Sequence, residues 1–194
     1  MNRSMLLSTL RLAAGCLLAG GACALGATAT PSPSLEQGFR LLYDLDFAGA
    51  QRQFAAHQQE QPDNPMGLAG EASGCLFAEF HRLGVLDSQF FVDDDKFIER
   101  RKLSPDPTAR KRLDVSLAKA ESLAGVRLKR DPKDRDALLA MTIAAGLRSD
   151  YTAMIEKRHA AALSQAKQAT HWAEKLLAAH PDCHDAYVAT GVSK

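Results

Sequence analysis

Six histidines (His57, His81, His159, His171, His180 and His184) and four cysteines are the residues of this chain best suited to chemistry. None of them falls into a catalytic or zinc-binding spacing. There is no H-E-x-x-H, no C-x-x-C, no G-x-S-x-G, no phosphate-cradling glycine loop and no G-x-G-x-x-G. The tightest grouping is His180, Cys183 and His184, a set that could hold a transition metal with softer ligands. These three bracket the helix-breaking Pro181, where exposed turn residues are the simpler expectation. Asp93-Asp94-Asp95 is the one acidic run. A calcium loop spaces its acids at alternate positions, with a glycine at the sharp turn and a distant Glu. This run is contiguous and lacks the glycine, so a solvated turn or an N-cap for Phe97-Ile98-Glu99 accounts for it. The expectation is no catalytic residue, no metal ligand and no cofactor.

Recognition chemistry is better represented. Phe90 and Phe91 precede the acidic run in an insertion of about 84–107, and Arg100-Arg101-Lys102 and Pro105-Asp106-Pro107 follow it. Long insertions in compact folds are commonly binding loops. Either Phe90 and Phe91 tuck back and extend the core, or they face out with Asp93, Asp94 and Asp95 as a recognition patch. One ring in each role satisfies both readings. Phe39 and Tyr43, with Leu42 nearby, form a second apolar group suited to a partner's helix or strand, or else belong to the core.

The elements that position these residues are helical. The 194 residues are 46% hydrophobic and 24% charged, enough for one domain with a real core. Alanine and leucine are abundant and aromatics sparse, which favours helices that approach closely. Residues 1–29 read as a signal peptide: Arg3 and Arg11, then an uncharged stretch from Leu12 to Ala27, then Ala27-Thr28-Ala29 as a cleavage pattern. The stretch is glycine-rich and shorter than the ~20 residues of a membrane span, which favours cleavage over an uncleaved anchor. A lipid anchor at Cys16 or Cys23 lacks the expected preceding residues. Thr30 to Ser34 reads as a disordered start. Losing the leader removes two arginines and no acid, so the formal charge goes from +1 to −1. That balance gives no electrostatic reason to expect nucleic acid. It also leaves Cys75 and Cys183, which export would permit to pair; small apolar residues packed in helices is the favoured reading.

Three long helical patterns share one ending. Gln61-Pro62-Asp63-Asn64-Pro65, Asp131-Pro132-Lys133-Asp134 and His180-Pro181-Asp182-Cys183-His184-Asp185 each stop one helix and can cap the next. The prolines lie 70 and 49 residues apart, two periods of about 34 and one period plus an insertion. Ala50 and Phe54 hold the same phase to Pro62 that Ala120 and Ala124 hold to Pro132, and Ala169 and Ala173 to Pro181. With Gly38 and Asp46-Phe47, this resembles the tetratricopeptide (TPR) repeat family of exported bacterial type. The match departs from the family where its first large aromatic is Ser34 and its later alanine is His57.

The resemblance implies an all-α fold, an α-solenoid of antiparallel helical hairpins with irregular and expanded repeats. The units are about 35–64, 65–134 with the insertion 84–107, 135–183, and a partial fourth at 184–194. Helices are expected over about 34–46, 48–61, 65–83, 108–129, 135–148 and 151–179. The fourth unit shows only an opening helix, around Tyr187 and Gly191, which predicts an apolar edge and self-association there. The family's trade is protein or peptide binding. The Lys and Asn of its carboxylate clamp are replaced here by Leu35 and Phe39, so a C-terminal tail is not the expected ligand. The reading is a non-catalytic binding module for a protein or peptide, exported to the periplasm of a Gram-negative cell or otherwise secreted. A subunit of an envelope transport or assembly complex is the first alternative. A small-molecule or metal-binding protein, or a weak hydrolase, is the second.

Overall fold

Three prolines stop three helices in the same way. Gln61, Asp131 and His180 each precede a proline, a position that disfavours the α conformation, and their φ angles are −129°, −135° and −138°. Each donates its N–H to the carbonyl four residues back, on His57, Arg127 and Leu176. Three residues further on, Asn64, Asp134 and Cys183 donate their N–H groups back to Gln61, Asp131 and His180. The next helix is then capped from the turn. Asp134 accepts from the Ala137 N–H at 2.9 Å, and Asn64 accepts from the Met66 N–H at 2.9 Å.

The computed structural model describes residues 35–86 and 103–191, all within one unit, Ser32–Lys194. The expected signal peptide and disordered start, Phe90, Phe91, Asp93, Asp94 and Asp95 lie outside the described residues. So does most of the expected insertion. Among the described residues all regular structure is helical: α1 (Leu35–Tyr43), α2 (Phe47–Glu60), α3 (Met66–Arg82), α4 (Pro107–Arg130), α5 (Arg135–Asp150), α6 (His159–Ala179) and α7 (Ala186–Gly191). A π-helical turn, Tyr151–Ile155, extends α5. Each helix packs on its successor, and α1, α3, α5 and α7 also pack on one another in that order.

Helices α1, α3 and α5 share an ending of their own. Leu45, Gly84 and Lys157 adopt left-handed φ values of 59°, 71° and 55°. At the first two the backbone closes in the same double bond. Asp46 donates to Leu41 and Leu45 to Leu42; Val85 donates to Phe80 and Gly84 to His81. The third ending corrects the expected helix over 151–179. Tyr151, Thr152 and Ile155 are buried, and Tyr151 and Ile155 lie in a cluster with Phe80, Leu113 and Leu117. The wider π turn holds those side chains on the core, with Glu156 N–H to Tyr151 O at 3.2 Å. The reversal therefore falls at Lys157, and α6 begins only at His159.

The first three helices close on one ring. Phe54 is fully buried, and a Cβ at Gly38 of α1 or at Gly70 of α3 would fall within its van der Waals surface. Phe39 meets the ring edge-on, with centroids 5.1 Å apart. Along the same face of α3, a Cβ at Gly67 would lie 3.1 Å from the Gln58 backbone nitrogen. The alanine phase read from the sequence is the packing phase. Ala50, Ala120, Ala124, Ala169 and Ala173 are all buried.

Charges tie the elements together at two places. Glu79 of α3 is buried, and both carboxylate oxygens accept from Arg82 at 2.7 Å. Glu79 also accepts the N–H of Asp106 at 2.8 Å, while Arg82 donates to the Ser104 carbonyl at 2.7 Å. Asp106 in turn caps α4 by accepting from Thr108. The chain on either side of the undescribed insertion is thus joined through one carboxylate. The three proline turns are joined in series as well. Asn64 donates to Asp136 at 2.9 Å, and His180 lies 2.6 Å from the Lys133 carbonyl. Arg135 pairs with Asp182 at 3.3 Å.

Gly70→Ala pushes against an aromatic ring that Gly38 also approaches, and overpacking of this kind costs about 1–3 kcal/mol. A Cβ at Gly125 of α4 meets nothing within 4 Å, so Gly125→Ala stabilises by about 0.5–1 kcal/mol through helix propensity alone. Urea titration of the two variants checks both signs, and a neutral or stabilising Gly70→Ala would refute the wedge. The Arg82 hydrogen bonds hold the Glu79 carboxyl below its ordinary value. That stabilisation is complete above the unfolded value near 4.3 and is lost as pH falls through the lower folded value. Glu79→Gln is expected to cost about 1–3 kcal/mol at pH 7, with the gap to wild type closing below about pH 4. A gap independent of pH would mean that the ion pair is not its source.

Candidate functional site

The ends of α1 and α3 leave apolar side chains without cover among the described residues. Because the Phe54 ring draws Gly38 and Gly70 together, the C-terminal turns of these helices run side by side and end in matching left-handed turns. Phe39, Leu42 and Tyr43 of α1, Leu45 of the turn, Phe77 of α3 and Leu86 beyond it line a cavity of about 240 Å³. Leu42 is buried, whereas Tyr43 is 89% exposed and Leu45 48%. Phe77 stands edge-on to Phe80, with centroids 6.1 Å apart, and carries the core out to the cavity.

Leu45 is an expensive residue for its position. The left-handed residue that ends a helix is usually glycine, because a Cβ there costs about 1–2 kcal/mol. The equivalent residue of α3 is Gly84. Strain of this kind survives where a side chain has a use that glycine cannot serve, and here the leucine forms part of the cavity wall.

The structure brings Phe39 and Tyr43 together in one apolar cavity. Phe39 has both roles that the sequence left open, since one edge meets Phe54 and another lines the cavity. Phe90, Phe91, Asp93, Asp94 and Asp95 lie outside the described residues and add nothing to the geometry. Sequence reasoning missed Leu45, Phe77 and Leu86. Phe77 carried a readable signal: it falls out of phase with the stripe of Leu68, Ala72, Cys75, Leu76 and Phe80 that faces the core. Leu45 carried none, because nothing in its type announces a left-handed turn.

The other chemical candidates are dispersed. Cys183 is buried beside Leu138, Ala173 and Leu176, while His180 meets the Lys133 carbonyl and the His184 ring stacks on Tyr187. Among the described residues no three His, Cys, Asp or Glu side chains form a metal-holding group. Cys75 and Cys183 are both free and sit in different core clusters. Burial pushes the Cys75 thiol up, away from the reactive thiolate. Tyr187 and Val188 of α7 are exposed. Among the described residues no helix is long and apolar enough to cross a membrane.

No protein-family model, curated protein or solved structure matches this chain.

Leu45→Gly separates strain from use. It is expected to stabilise the fold by up to about 1 kcal/mol, since the backbone angle then suits its residue. It also opens one wall of the cavity. A thermal melt checks the first effect, and a variant that melts below wild type would show that the side-chain contacts outweigh the strain.

Proposed function

We propose that this chain is an exported helical-repeat protein of the tetratricopeptide kind, a solenoid of helical hairpins that docks a protein or peptide without catalysing a reaction. The single observation that carries the docking reading is the apolar cavity between α1 and α3, with Tyr43 standing almost wholly in solvent beside it. Three features support the repeat reading: the three matching proline turns, the left-handed endings of α1, α3 and α5, and the buried alanine phase. The packing of α1, α3, α5 and α7 in succession fits a stack of hairpins whose first helices line one surface.

Size argues for a macromolecular partner over a small ligand. Sites for drug-sized molecules run from about 300 to 1,000 Å³ and enclose most of the ligand. At about 240 Å³ and open on one side, this cavity suits one or two apolar side chains projecting from a helix or strand. Exposed aromatics beside a pocket are the residues on which binding energy concentrates.

The protein is used as bait in a cell-envelope extract, the captured partner is identified and purified, and its affinity is measured by calorimetry. Tyr43→Ala and Phe77→Ala are each expected to weaken binding by tenfold or more, in keeping with about 1.4 kcal/mol or more for an anchoring aromatic. A partner that binds both variants as tightly as wild type would place recognition elsewhere. Turnover of a substrate by the wild-type protein would end the non-catalytic reading.

A further inference from the structure

A second concave surface lies away from the apolar cavity. It runs between α2 and α4 over the floor of α3, with a volume of about 580 Å³. Arg52 stands on the α2 wall, and Lys111, Arg112 and Lys119 stand on the α4 wall. Glu71 is the one carboxylate lining it among the described residues. On α3, Glu71 and Cys75 are one turn apart and face this groove, whereas Phe77 lines the cavity on another side.

The two arginines of the groove differ from most others of the chain. Outside the groove, every described arginine except Arg130 has a carboxylate within 4 Å. None of the four groove cations has an ion-pair partner at that distance among the described residues. Net basicity does not explain the concentration, because the whole chain carries a formal charge of only +1. Four cations facing one carboxylate across a groove focus positive potential there.

Their spacing selects the kind of anion. Lys111 and Lys119 are eight residues apart on α4, a rise of about 12 Å, so the charges form a row and do not converge on one point. An extended chain rises about 3.3 Å per residue and points alternate side chains the same way. Carboxylates on alternate residues of a four- to five-residue stretch would therefore meet the row in turn. Val115 lies between the lysines and Ala55 opposite, and both line the groove, leaving an apolar place between the charges. The Gln51 amide that borders the groove is held in place by the Glu71 carbonyl at 2.9 Å.

We propose that the groove between α2 and α4 binds an extended acidic peptide segment, with Arg52, Lys111, Arg112 and Lys119 reading its successive carboxylates. Glu71 opposes the peptide and limits its affinity.

The test is fluorescence anisotropy of the full protein with a labelled eight-residue peptide alternating Glu and Leu. Its Gln-Leu and Lys-Leu counterparts serve as controls. The acidic peptide is expected to bind and the Gln counterpart to bind at least tenfold more weakly. Raising NaCl from 0.05 to 0.5 M is expected to weaken binding by at least tenfold. Arg112→Glu with Lys119→Glu loses the acidic peptide and gains the Lys-Leu peptide, a reversal that an unfolded variant would not show. Arg130→Glu, outside the groove, changes affinity less than twofold, and Glu71→Gln tightens it several-fold. Equal binding of the acidic and Gln peptides would overturn the proposal, as would an unchanged affinity in the double reversal. Tighter binding of a single-stranded oligonucleotide or an anionic phospholipid vesicle through the same cations would reassign the groove and overturn it too.

Discussion

The ring of Phe54 fills the space that two missing side chains leave, and the arrangement of the first three helices follows from it. With hydrogen alone at Gly38 and Gly70, α1 and α3 both come against one aromatic ring on α2. Helix pairs with larger residues at these positions would sit further apart and present their C-terminal turns at different heights. Instead, the two turns finish as neighbours, and the apolar cavity is the gap between them. α3 then becomes the spine of the molecule, packed by α1, α2, α4 and α5. Twelve of its seventeen residues are buried, which leaves little of the helix for the two concave surfaces to share.

Those two surfaces use opposite physics. The cavity of Phe39, Tyr43, Leu45 and Phe77 offers apolar area whose removal from water drives association regardless of salt. The groove of Arg52, Lys111, Arg112 and Lys119 offers charge in high dielectric, where attraction is long-ranged but weak and salt-sensitive. A chain with an acidic stretch and an apolar stretch would be gathered by the second and held by the first. The polar links between the turns have a different role. Asn64 with Asp136, and Arg135 with Asp182, bind turn to turn along one edge and fix the helices whose sides form these surfaces.

Much of this architecture was legible from proline. Pro62, Pro132 and Pro181 act locally, by removing a donor and restricting the residue before them, so the turns they set can be read without knowing the fold. The buried alanine phase was equally readable, because small residues at a fixed distance from a helix stop have few other uses. The end of α5 was not. From Asp150 to Arg158 there is no proline, glycine or asparagine, and periodicity alone continues the helix. What reverses the chain is the burial of Tyr151 and Ile155 against Phe80 and Leu117, a tertiary demand with no local mark. The sites divide in the same way. Phe39 and Tyr43 were visible as aromatics on a helix face. The row of cations on α4 was visible only as ordinary surface charge, until Arg52 stood opposite with Glu71 as the one carboxylate beside them among the described residues.

The tie through Glu79 and Arg82 bears on what this scaffold can accept. Two positions separated by more than twenty residues of sequence, at the end of α3 and the start of α4, are held by one buried carboxylate that belongs to neither connecting strand of chain. Closing a loop whose anchor points are already fixed costs free energy that grows only with the logarithm of its length. Segments of differing length and composition can therefore be exchanged between those anchors with little change in the helices on either side. The interval between those anchors is therefore the place to graft a foreign loop.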